Sequence, residues 1–188
     1  LIDTLDANTT YTINFGNSIK DNNENNPLTF FSYTFSTGET IDSLYVKGNI
    51  SDAYDMVTDE YVSIHLYRID STLNDSIIFN KRPTYISNSL DSTSYTFKNL
   101  RQGKYLIVAM KDVDNNYFFD PFYDKIGFID SLITLPKDSI IDFKLFKEET
   151  ELIWDKPHFL NSEKIGFWYY GKLDFNKLVI DSSLPDSV

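Results

Sequence analysis

Asp112, Asp114, Asn116, Asp120 and Asp124 fall within thirteen positions of the stretch KDVDNNYFFDPFYDKIGF, residues 111–128. Asp112, Asp114 and Asn116 stand at positions 1, 3 and 5 of a cation loop, Phe118 offers a backbone carbonyl at position 7, and Asp120 stands at 9. Calcium takes about six to eight oxygens from carboxylates, amides and carbonyls, and this spacing turns them toward one point. A structural Ca2+ is therefore the one cofactor the chain points to, with Asp124 reaching in from position 13. The pattern departs from a helical hand in two ways: Asp124 lies one position late, and Tyr117 stands where the sharp turn wants Gly. A second reading uses the same residues differently. In a solvated hairpin loop the Asp and Asn side chains cap backbone amides, Phe118, Phe119, Phe122 and Tyr123 cover the end of a sandwich, and Lys111 and Lys125 neutralise part of the charge. Four crowded carboxylates repel unless a cation or protonation relieves them.

Catalytic patterns are sparse. The chain has two histidines, His65 on the outward register of an alternating run and His158 behind Pro157. It has no Gly-x-Ser-x-Gly elbow, no His-Glu-x-x-His and no phosphate-cradling glycine loop. The loop carboxylates are the one pair that acid–base chemistry, as in a glycosidase, could draw on, and no enclosed cleft is implied around them. The expectation is a non-enzyme. A different candidate is GFWYYG, residues 166–171, where Phe167 and Tyr169 alternate with Trp168 and Tyr170. One aromatic set must face away from any single core. It is either an interaction surface, for protein docking or sugar stacking, or part of a strand buried on both faces.

The elements that must position these residues are strands. Apolar side chains alternate with polar ones in TYTINF, FSYTFS, SLYVKGNI, YVSIHLY, SYTFKNL and KYLIVAM, and helical periodicity is nearly absent. Breaks fall at DNNENNP, STGET, RQG, DVDNN and LPKDS, clusters whose residues favour turns. Many short strands with such punctuation predict an all-β chain of serial antiparallel sandwiches with little or no helix. Three blocks emerge: residues 1–40, residues 41–147, and residues 148–188 after the charged link KEETE. The outer blocks are too short to bury a core of their own. Gly103 is expected to take a positive φ in a tight hairpin, and Gly48, inside an alternating run, marks a bulge or a close backbone approach.

Composition bounds the partners. A net charge of −11 with no basic stripe disfavours nucleic acid. The absence of cysteine removes disulfides and thiolate chemistry from the chain. No run of about 18 apolar residues is present to span a membrane as a helix. The chain opens at Leu1 without Met, and a processed or partial piece of something longer is expected.

Residues 5–38 carry Leu5, Thr9, Tyr11, Phe15, Gly16, Asp21, Asn25, Phe35, Ser36, Thr37 and Gly38 in an order that resembles the C-terminal half of a bacterial Ig-like domain. VKGNISDAYD (Val46, Gly48, Asp52, Ala53) and YTFKNLRQGKYLIVAMKD (Phe97, Leu100, Gly103, Tyr105, Asp112) resemble the prealbumin-like, carboxypeptidase-regulatory-like β-sandwich. Together they are similar to Ig-like surface lipoproteins of Bacteroidetes. That resemblance implies export, an outer-membrane or cell-surface location, and a lipid anchor upstream of Leu1 as the sole membrane attachment. Eight Asp-Ser/Thr triplets, with hydroxyls at Thr4, Ser43, Ser71, Ser76, Ser92, Ser131, Ser139 and Ser187, are similar to the O-glycosylation signal of exported proteins of that group; Asp-Ser is equally a good turn former. The function expected is a non-catalytic interaction scaffold bound to a larger protein, an outer-membrane transport or assembly complex. A glycan-binding or adhesion module is the alternative, and a hydrolase using the acidic loop ranks third.

Overall fold

The computed structural model describes residues 4–15, 18–28, 31–70, 76–149 and 151–174. It is all-β apart from one helical turn. The first block contributes an antiparallel ribbon of β1 (Thr10–Asn14) and β2 (Ser32–Ser36), with Thr10 opposite Ser36 and Asn14 opposite Ser32. Tyr11 stacks on Phe35 at 5.7 Å and Phe15 meets Phe31 at 5.6 Å. The DNNENN segment between them is a turn in which the Asp21 carboxylate accepts the Asn23 and Glu24 amides. Among this block's described residues only Thr10 is buried, and its hydroxyl accepts the Asp42 amide at 2.9 Å.

The middle block is a sandwich. Its strands are β3 (Leu44–Asp52), β4 (Ser63–Arg68), β5 (Tyr85–Asn88), β6 (Ser94–Leu100), β7 (Gly103–Lys111), β8 (Lys125–Phe128), β9 (Ile133–Leu135) and β10 (Phe143–Leu145); the turn α1 (Ile77–Asn80) lies between β4 and β5. One sheet runs β10-β3-β6, the other β5-β4-β7-β8, with β9 pairing the first half of β7. Val46 and Ile50 of β3, Tyr95, Phe97 and Leu100 of β6, and Phe143 and Leu145 of β10 face Ile64 and Leu66 of β4, Tyr105 and Ile107 of β7, and Ile133 and Leu135 of β9 across one core. The period-two register dictates this: every second side chain of a strand points to one face. The sandwich is also tied at its sides. Ile126 and Phe146 exchange both backbone hydrogen bonds, 2.8 and 2.9 Å, next to β8 and β10, and the Ser87 hydroxyl donates to the Thr96 carbonyl across the β5–β6 side.

Three details differ from the expectation or refine it. First, β10 runs parallel to β3, so one pair breaks the antiparallel rule. The segment leading into β10 lies against β3, with the Lys47 amide donating to Ser139 and the Ile141 amide to Lys47. This explains Gly48: a Cβ there would stand 1.6 Å from the Ile141 carbonyl oxygen, so the close backbone approach is real. Second, Gly103 does not take the positive φ; Asn99 does, at φ 59, and forms a bulge where β6 slips past Leu44 and Val46. Asn tolerates the left-handed region, so the positive φ falls at a bulge inside β6, ahead of the hairpin where a glycine rule places it. Third, His65 is fully buried rather than solvent-facing. Its register is the outward one, opposite Ile64, but α1 and the 112–124 loop fold over that outer face. Met110, Phe119 and Ile126, with Ile78 and Phe146 against them, form a second apolar cluster there.

Residues 151–174 form two ribbons, β11 (Ile153–Trp154) with β14 (Tyr169–Tyr170) and β12 (His158–Asn161) with β13 (Lys164–Gly166). Every buried hydrophobic side chain among the described residues lies between Val46 and Leu145. In 151–174 none is buried, and only Gly166 and Leu173 are half-buried. Among the described residues no helix is long and apolar enough to cross a membrane.

Candidate interaction surface at the loop end of the sandwich

The acidic loop joins β7 to β8, so its two ends are pinned where Lys111 and Lys125 pair across the strands. Its side chains converge on its own backbone. Asp112 accepts the Asn116 amide at 3.3 Å and the Tyr117 amide at 2.8 Å. Asp114 accepts from the Asn116 amide and side chain, and the Asn116 oxygen accepts the Phe118 amide at 2.6 Å. Asp120 accepts the Phe122 amide at 2.9 Å. Asp124, 1% exposed, spans the loop: one oxygen accepts the Val113 amide at 3.0 Å, the other the Asp120 amide at 2.8 Å. Phe118 thus enters as an amide donor to Asn116. Among the described residues no three carboxylate, histidine or cysteine side chains are grouped to hold a metal ion. In this geometry the carboxylates cap backbone amides of their own loop. Burial pushes the Asp112 and Asp124 carboxyls above their ordinary range; amide donors pull the other way, and neighbouring loop carboxylates add to the rise.

The aromatics of this loop divide. Phe119 is buried in the second cluster, 5.6 Å from Phe79, and its amide donates to the Ile78 carbonyl. Tyr117 sits at φ 69, a costly value for a bulky residue, and packs 6.0 Å from the His65 ring with Arg82 over its outer side at 5.9 Å. His65 bonds the Ser63 hydroxyl at 2.8 Å and lies 3.4 Å from the Tyr67 hydroxyl. Burial drives the imidazole down to about 4 and the Tyr67 phenol up to about 12. Phe122 and Tyr123 meet Tyr170 of the last block at 5.4 and 6.4 Å.

The lysines expected to neutralise the loop turn elsewhere. Lys125 reaches Asp52 at 2.7 Å, Asp59 at 2.8 Å and Asp55 at 3.7 Å, and Lys111 donates to the Glu60 carbonyl at 2.6 Å. They clamp residues 52–60, which lead from β3 to β4. The Asp52 side chain, 2% exposed, also accepts the Tyr54 and Asp55 amides. Burial pushes its carboxyl up, but the Lys125 ammonium and the two amides outweigh that and hold it down to about 2. The same carboxylates raise the Lys125 ammonium, and burial opposes them. Sequence reasoning missed this clamp. Its signal was present: residues 48–67 hold Asp52, Asp55, Asp59 and Glu60 and no Lys or Arg.

Of the GFWYYG aromatics, Tyr169 and Trp154 pack at 5.6 Å, Trp168 meets His158 at 5.4 Å, and Tyr170 lies on the acidic loop. Phe167 is 59% and Trp168 45% exposed. Strand burial on both faces is not what the structure shows. Of the hydroxyl sites, Thr4, Ser43, Ser92 and Ser131 are exposed, Ser76 and Ser139 are half-buried, and Ser71 and Ser187 lie outside the described residues.

No curated protein and no solved structure matches the chain. The family model of the bacterial Ig-like domain matches residues 1–37, which suggests a surface or adhesion-type β module and is consistent with an exported protein.

Proposed function

We propose that the chain is a non-catalytic scaffold of an exported, lipid-anchored surface protein, holding a larger partner such as an outer-membrane transport or assembly complex. The observation that carries this reading is the absence of any buried residue in 151–174, beside exposed Phe159, Phe167 and Trp168. Isolated two-stranded ribbons are marginal in water. Burying a large apolar side chain contributes about 1.5–3 kcal/mol, so a covering surface supplies what the ribbons lack. The middle block, read as prealbumin-like, holds the core between the two outer blocks. His65 is sealed from substrate beneath Tyr117, which fits a binding role. The anchor lies upstream of Leu1, and exposed Thr4, Ser43, Ser92 and Ser131 are the hydroxyls open to glycosylation. Affinity isolation of the full chain from solubilised membranes tests the scaffold. A stoichiometric partner that is lost on Phe167→Ala with Trp168→Ala is expected; recovery of the bait alone overturns the reading.

A second reading is glycan binding, favoured by Trp154 and Trp168, each 45% exposed, which offer ring faces for sugar stacking. Glycan-array binding abolished by Trp168→Ala would select it.

A further inference from the structure

The loop between β3 and β4 presents apolar side chains outward on a fixed base. Tyr54 is 85%, Met56 106% and Val57 81% exposed, three of four successive positions. A loop with nothing to do carries polar residues at its tip; single exposed apolar residues are ordinary, a contiguous run is not. The base of this loop is held from both sides. Asp52 and Asp59 grip Lys125, Glu60 receives Lys111, and Asp52 ties down the Tyr54 and Asp55 amides. Both lysines come from the paired strands β7 and β8, so the rigid sheet positions the tip. Fixing an element beforehand lowers the ordering cost of binding.

We propose that Tyr54, Met56 and Val57 are a docking tip for a protein partner whose receiving pocket is apolar and rimmed by Lys or Arg. The charge around the tip selects that partner. Exposed Asp55 and Glu60 flank it, and no basic residue lies in 48–67 of a chain carrying net charge −11. Such a surface is repelled by anionic lipid and by a second copy of itself, and attracted to a basic rim. Tyr supplies an anchor of the kind that dominates interfaces, and Met adapts to an irregular pocket. The inference rests on the scaffold reading for its premise that the chain binds a protein; it adds a separate surface and the chemistry of what that surface takes.

The test is selection of a phage-displayed random peptide library on the immobilised full chain. The expected binders combine Arg or Lys with aromatic or aliphatic residues. They lose at least tenfold in affinity on the triple variant Tyr54→Ser, Met56→Ser, Val57→Ser, and their binding weakens with salt. The variant leaves the Lys125 clamp intact, and an unchanged Tm verifies its fold. A library that yields no binder, binders without basic residues, or binders that hold the triple variant equally well overturn the proposal. So does co-flotation with phosphatidylcholine or phosphatidylglycerol vesicles that the triple variant abolishes, which would assign the tip to a lipid surface. Phe167 and Trp168 are untouched here, so failure of the tip leaves the membrane-isolation result on those residues standing.

Discussion

The ring of Tyr117 lies 6.0 Å from that of His65 and closes the outer face of β4 over a neutral imidazole. His65 is held down to about 4 by burial, against an unfolded value near 6.5. Between these values the unfolded chain binds the extra proton, so stability is full above about 6.5 and falls as pH drops toward 4. The loss through this one group is about 3 kcal/mol, from the size of the shift. Asp112 and Asp124 act with the opposite sign. Their folded values are raised, so the folded state gains protons first and acid stabilises it through them. His65→Gln keeps a hydrogen-bonding side chain beside Ser63 and Tyr67. Urea denaturation from pH 7 to 4 is expected to show a flatter decline for this variant than for the parent; identical slopes would exclude His65 as the source.

Asp124 and Asp114 separate buried caps from exposed ones. Asp124→Ala strands the Val113 and Asp120 amides inside the loop, and a loss of about 2–3 kcal/mol is expected. Asp114→Ala, at an exposed position, changes stability by less than about 0.5 kcal/mol. Equal effects in a denaturation series would count against the capping geometry. A structural calcium ion held by this loop is expected to raise Tm at millimolar concentration, and Asp112→Ala to remove the rise. A Tm that calcium leaves unchanged would contradict the calcium loop and leave the carboxylates as caps alone.

The Lys125 clamp predicts a graded series. Asp52→Ala leaves a partly buried ammonium short of its nearest partner and two amides uncapped, costing about 3 kcal/mol. Asp55→Ala, 3.7 Å from the ammonium and 70% exposed, costs at most about 0.5 kcal/mol. Thermal unfolding of the two variants decides it, and a reversed order contradicts the geometry.

Gly48→Ala tests the parallel arrangement of β10. Its Cβ would fall 1.6 Å from the Ile141 carbonyl oxygen, so the 139–141 segment must move off β3. A loss of at least about 3 kcal/mol is expected, because a backbone rather than a flexible side chain must yield. Gly103→Ala, whose Cβ meets only ordinary contacts near Tyr105, is expected to change Tm far less.

The strands were legible because alternation alone turns Ile64, Leu66, Phe97 and Ile107 to the core side of their strands. Gly48 was legible for the same reason: a missing side chain inside a regular run requires a neighbour. What was not legible is which face is covered. His65 stands on the correct outward register, yet Tyr117, far away in sequence, packs over it and it is buried. Alternation has no term for a loop folding back. The acidic loop was found by its spacing, but spacing is shared by cation loops and by self-capping turns, and the amide partners of Asp112 and Asp124 are common to both. Lys111 and Lys125 were misread because ion pairing depends on tertiary reach, here across to residues 52–60.

Hydrogen exchange on residues 151–174 tests the central claim most directly. In the isolated chain their amides are expected to exchange within seconds while those of β4 and β7 stay protected, and in the membrane assembly the 151–174 amides are expected to slow markedly. Slow exchange of 151–174 in the isolated chain, or no change on assembly, would show that these ribbons need no covering surface and would contradict the scaffold.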